Sequence, residues 1–126
     1  MTSPLDPAPF LPLPLATFHI LLATADEGRH GYAIIQDVAT RTGGETTLGT
    51  STVYAALKRM RAAGLIAETG RPTGERSGDE RRRYYRATPF GQDVAREAAR
   101  NIERLHALVR DARLLRPAAA RGRGRS

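Results

Sequence analysis

Between Thr50 and Arg61 the chain gathers three hydroxyls (Thr50, Ser51, Thr52), a phenol (Tyr54), an ammonium (Lys58) and two guanidiniums (Arg59, Arg61). The set holds no carboxylate, imidazole or thiol. What it can do is hydrogen-bond base edges and phosphate oxygens. At 100° per residue, Val53, Ala56, Leu57, Met60 and Ala63 share one side of a helix, while Ser51, Ala55, Lys58 and Ala62 lie opposite. Tyr54 and Arg61 flank that outer face on one side, and Thr52 and Arg59 on the other. Ser51, Thr52 and Lys58 are therefore the candidates for base edges, and Ala55 permits close approach or contact with a thymine methyl. Tyr54 and Arg59 are better placed for phosphates. A plain solvated charge is the rival reading for Arg59 and for Arg61.

Such a face needs a short, well-delimited helix and something to hold it out from the domain. Thr50, or Gly49 before it, can cap the start, and Gly64 stands where a helix end favours φ > 0. Upstream, Leu15 to about Ala25 is apolar nearly all round, which predicts a helix covered on more than one side. Asp26-Glu-Gly-Arg29 ends it. His30-Gly-Tyr32 opens a second helix with Ile34, Ile35 and Val38, closed by Gly43-Gly44. At that helix start, His30 and Tyr32 can favour a phosphate; the rival reading makes Tyr32 core and His30 structural.

Downstream, Leu65–Thr69 and Arg82–Ala87 read as paired strands, with Tyr85 and Ala87 facing inward and Tyr84 and Arg86 outward. The segment between them is rich in Gly, Pro and charge. Arg71, Arg76, Arg81, Arg82 and Arg83 can set up a positive field there, partly cancelled by Glu75, Asp79 and Glu80; Arg76 and Arg81 are the candidates for contact with nucleic acid. Helices followed by a ribbon with a basic tip make a winged helix-turn-helix. The fold class expected is mainly α, with a small two-stranded β wing.

Thr88-Pro89 reads as a cap and first-turn proline for a long helix to about Leu115. Ala98, Ile102, Leu105, Val109 and Ala112 follow four-three-four-three spacing, the seam of a coiled coil, broadened by Phe90, Val94, Leu108 and Leu115. A domain this small offers such a helix little to pack on, so it is expected to dimerise. Four segments result: a disordered Pro-rich arm (1–13), the winged helix-turn-helix (14–88), the dimerisation helix (89–115) and a disordered Arg-rich tail (116–126). The tail either touches nucleic acid nonspecifically or does nothing specific.

The formal charge of +7 and a chain that uses nineteen Arg against one Lys agree with a polyanionic partner, although genome composition can also favour Arg. The absence of cysteine excludes a disulfide framework and thiolate chemistry. His19, His30 and His106 lie on separate helices, and neither a G-x-S-x-G elbow nor a phosphate-cradling glycine loop occurs. No enzyme, cofactor or metal site is expected. The apolar stretch from Leu13 to Ala25 is too short and too interrupted to span a bilayer, and the start lacks a signal-peptide flank, so the cytoplasm is the expected compartment.

The segments His30-Gly-Tyr32, Thr52-Val-Tyr-Ala-Ala-Leu57, Ala63-Gly-Leu-Ile66 and Arg83-Tyr-Tyr-Arg-Ala-Thr-Pro-Phe-Gly91, in this order over about residues 13–112, resemble the PadR family of transcriptional regulators. Ser51 stands where that family commonly has Gly, Thr50 and Ala55 where it has Pro, and Pro89-Phe90 where it has Glu-Ala. The resemblance implies a homodimeric repressor of a double-stranded DNA operator, with a small molecule sometimes relieving repression, and it supports Tyr54 as a phosphate contact. The single C-terminal helix resembles the compact members. Some of those bind flat aromatic ligands through a Trp in that helix, and this chain has no Trp. Two-fold symmetry would place two reading helices about one turn apart on a pseudo-palindromic site. The alternative is a winged-helix module that docks a partner protein without sequence-specific DNA binding. A third reading is RNA or nonspecific nucleic-acid binding through the Arg tail.

Overall fold

A computed structural model describes residues 6–70 and 82–115. Its elements run α1 (Leu15–Ala23), β1 (Arg29–His30), α2 (Gly31–Arg41), α3 (Thr50–Ala62), β2 (Ile66–Thr69), β3 (Tyr84–Ala87) and α4 (Pro89–Asp111), preceded by one 3₁₀ turn at Ala8–Phe10. α1, α2 and α3 pack on one another and α4 closes over α1. Ile20, Leu21, Ile34, Val38, Val53, Leu57, Ile66 and Val94 are fully buried at the centre. The core therefore draws on every helix and on the first wing strand. Among the described residues, no helix is long and apolar enough to cross a membrane.

The sheet has three strands in the order β1-β3-β2, all antiparallel, with Arg29 opposite Tyr85 and Ile66 opposite Ala87. The wing strands are those expected; β1 is an addition. Two residues carry no readable period, and their pairing is with a strand more than fifty residues away. β1 also corrects the orientation expected of Tyr84. That ring is buried together with Tyr85 and Ala87: β1 pairs with β3 and sets the His30 ring, opposite Tyr84 in register, edge-on against it at 5.4 Å. Arg86 alone on this strand is exposed.

A second correction concerns the arm. Residues 6–13, expected to be disordered, form an ordered strap. Phe10 stands edge-on to Phe90 at 5.6 Å, and Leu11 and Leu13 pack against the core. Proline still denies the strap regular backbone pairing, but its apolar residues find partners on α1, α3 and α4 that are remote in sequence.

α4 begins where expected. The Thr88 hydroxyl accepts from Gly91 N–H at 2.9 Å and donates to the Gly64 carbonyl at 2.6 Å, while Thr88 N–H donates to the Leu65 carbonyl. One threonine thus caps α4 and fastens it to the end of α3. The helix stops at Asp111, short of Leu115, with Ala112 as its C-cap and Arg113 at φ 62. Leu114 N–H closes the end by donating to the Val109 carbonyl.

Candidate nucleic-acid interface

α3 divides as its sequence requires. Val53, Ala56, Leu57 and Met60 are buried, whereas Thr50, Ser51, Thr52, Tyr54, Ala55, Lys58, Arg59 and Arg61 are exposed. Gly49 is the N-cap and Thr50 the first helical residue, with no side-chain cap bond, so the leading hydroxyls are not spent on the helix's own N–H groups. At the other end Gly64 takes φ +80 and lets Leu65 N–H reach the Met60 carbonyl, which turns the chain sharply into β2. Among the described residues, the outer face is left uncovered.

The fit of Tyr54 was not legible in the sequence. A Cβ placed on Gly31 would fall 2.4 Å from both Cζ and Oη of Tyr54, so the phenol lies against the first turn of α2 in space that only glycine leaves. That turn is the one His30 caps, its Nδ1 accepting from Ala33 N–H at 3.2 Å. His30 therefore acts structurally, while Tyr32 is exposed and is not core. The Tyr54 hydroxyl thus sits beside the first turn of α2.

A prediction arises here. In Gly31→Ala the obstructing atoms are the far end of a side chain, so the Tyr54 ring swings away at little cost in stability. We expect a melting temperature within a few degrees of the parent and a roughly ten-fold loss of DNA affinity, about the size of one lost contact. Thermal melts paired with fluorescence anisotropy would check both.

Toward the wing, Tyr54, Lys58 and Arg61 on α3 face Arg83 and Tyr85 across a cleft of about 300 Å³. Glu68 on β2 joins the two sides: its Oε2 accepts from Arg61 at 2.5 Å and from Arg83 at 2.8 Å. The hydrogen bond from Arg83 holds the Glu68 carboxyl below the ordinary carboxylate range against a smaller opposing effect of burial, with Arg61 adding to the fall. A carboxyl that titrates lower in the fold than in the unfolded chain keeps this triad charged at neutral pH; it is lost as pH falls through the folded value. Arg83 is correspondingly held more basic by Glu68, and burial pushes the Tyr85 phenol up.

Arg59 points elsewhere, lining a groove with Phe10, Leu13 and Met60 beside the strap. The structure thus brings Tyr54, Lys58 and Arg61 together and separates Arg59 from them. Arg71, Arg76, Arg81 and the tail from Arg116 lie outside the described residues. Arg29, which the sequence suggested only as part of a helix breaker, is structural: its Nε donates to the Ala23 carbonyl at 2.6 Å and its Nη2 pairs with Glu27 and Asp37. Among the described residues, no cluster of three or more His, Cys, Asp or Glu could hold a metal.

Of the residues at coiled-coil spacing on α4, Ala98 is buried and Val94 wholly so, whereas Ile102 is 50% and Leu105 60% exposed. Leu108, Leu114 and Leu115 continue this apolar end, and Leu15 on α1 is exposed as well. Between α4 and the strap runs an apolar groove of about 220 Å³, lined by Leu11, Leu13, Phe18, Ile102 and Leu105 with the Asn101 amide.

Comparison with known proteins agrees with this architecture. The sequence pattern of the Transcriptional regulator PadR-like family matches residues 20–97. No curated protein matches the chain in sequence. A transcriptional regulator from Clostridium thermocellum is 24% identical over 75% of this chain and 89% of its own, with a TM-score of 0.63. A PadR family regulator from Clostridium difficile is also 24% identical, over 78% of this chain and 97% of its own, at 0.64. Bacillus subtilis PadR, solved in complex with operator DNA, is 20% identical over 68% of this chain and 47% of its own, at 0.55. At these identities the solved structures share the fold.

Proposed function

We propose that this chain, which belongs to the PadR-like family of transcriptional regulators, acts as a homodimeric repressor that reads a pseudo-palindromic operator with α3. The observation that carries the reading is the outer face of α3: hydroxyls, a phenol and cations, held out by a buried opposite face and left exposed among the described residues. Ser51, Thr52 and Lys58 would meet base edges, and Tyr54 phosphate, with Thr50 at the helix entrance. The wing arginines Arg76 and Arg81 would add phosphate contacts. The operator complex of Bacillus subtilis PadR supports double-stranded DNA as the partner.

Dimerisation fits the exposed end of α4. Ile102, Leu105, Val109 and Ala112 form the seam, and the α1 surface flanks it. Ala98 contributes from below, since its own subunit already covers it. A small apolar effector would be accommodated by the groove between α4 and the strap, where it would touch the element that sets the dimer.

Band shifts on the DNA upstream of the chain's own gene, repeated across ionic strengths, test this directly. Operator affinity should fall steeply with salt, as several phosphates are neutralised per site. Equal binding to random duplex even at low salt would sink the proposal. Changing Tyr54 and Lys58 together to Ala should weaken operator binding by about 100-fold while sedimentation shows the dimer intact. A module that merely docks a partner protein would have no operator affinity to lose.

A further inference from the structure

The Arg61–Glu68–Arg83 triad sits where a DNA strand would pass between a helix in the major groove and the wing. Both guanidiniums share one carboxylate oxygen, and both side chains are more than half exposed. Lys58 and Tyr54 border the same cleft. Ion pairs this exposed are weak and readily exchanged, so an incoming phosphate can replace the carboxylate on either arginine. The same carboxylate repels any phosphate that approaches without engaging them.

We infer that Glu68 is a specificity-determining residue: it masks Arg61 and Arg83 from loosely docked duplex and yields them to phosphate only when α3 is seated in its operator. On random sequence α3 stands off the bases, the triad stays closed, and two cations contribute little to counterion release. On the operator, seating brings a strand into the cleft, and the guanidiniums turn from carboxylate to phosphate, where forked pairing becomes available. Glu68 thus lowers affinity for the wrong partner more than for the right one, which is how repulsive elements produce selectivity.

This role rests on the DNA-binding reading, and one experiment separates the two. Glu68→Gln keeps the shape and removes the charge. In the full chain, anisotropy titrations should show random-duplex affinity rising about ten-fold at low salt, its salt dependence steepening by roughly one per arginine released, and operator affinity changing less than about three-fold. Glu68→Asp should restore part of the discrimination, and Arg61→Ala with Arg83→Ala in the Glu68→Gln background should remove the gain. An equal gain on both duplexes, a parallel loss on both, or no change on random duplex overturns the role of Glu68, as does a gain that survives removal of both arginines. A wild-type chain without operator preference overturns the DNA-binding reading itself, and this role with it.

Discussion

Leu105→Glu is expected to convert the proposed dimer into monomers and to weaken operator binding by at least about 100-fold, because two half-site contacts would then no longer reinforce one another. Leu105 lies on the seam, is 60% exposed in its own subunit, and has Ile102 and Leu108 beside it on the same uncovered surface. Burying a carboxylate between two such surfaces without a partner is strongly unfavourable. The isolated subunit should be indifferent, since the side chain already faces water there. Sedimentation velocity reads the first effect and thermal melts the second. A dimer that survives the substitution would move the interface away from α4.

Gly91→Ala is expected to act on the fold itself. A Cβ at this position would lie 2.0 Å from the Leu65 carbonyl oxygen and 2.9 Å from its carbon, with Leu21 Cδ2 at 3.2 Å on the other side. The obstruction is backbone and cannot rotate away. The same carbonyl accepts the Thr88 N–H, so moving it also loosens the fastening between α3 and α4. Overpacking of this kind, together with a compromised buried hydrogen bond, should cost about 3 kcal/mol or more. For a domain of this size that lowers Tm by roughly 12 °C or more. Calorimetry would check it, and an unchanged Tm would mean that α4 can draw back from the turn without loss.

The contrast between Gly31 and Gly91 shows what the sequence could and could not disclose. Both were visible as members of family-like segments, yet one makes room for a movable phenol and the other for a fixed carbonyl. Only three-dimensional proximity separates them. α3 was legible because its amphipathic pattern is sharp and Gly64 ends it; the start of α4 was legible because Thr88-Pro89 is a local signal. The strap was missed because proline content reads as disorder, while the surfaces that hold Phe10 and Leu13 come from distant parts of the chain. Tyr84 was expected to be exposed because alternation assumes one wet face, whereas its neighbour on β1, His30, packs its ring against it. On the candidate interface, the wheel found Tyr54, Lys58 and Arg61 one by one. It could not show that Glu68 ties Arg61 to the wing.

Thr88 fastens the base of α4 to the turn that ends α3. A helix of 23 residues is about 34 Å long, the length of one turn of duplex. Held by its far end in a dimer, it becomes a lever whose short arm is the seam and whose load is the reading head. The stretch from Pro89 to Ile102 makes an arm of about 20 Å, so a change of tilt of about 10° at the seam would carry that head roughly 3 Å, about one base step. In the proposed dimer, registry on DNA would be decided at the opposite end of the molecule from the bases.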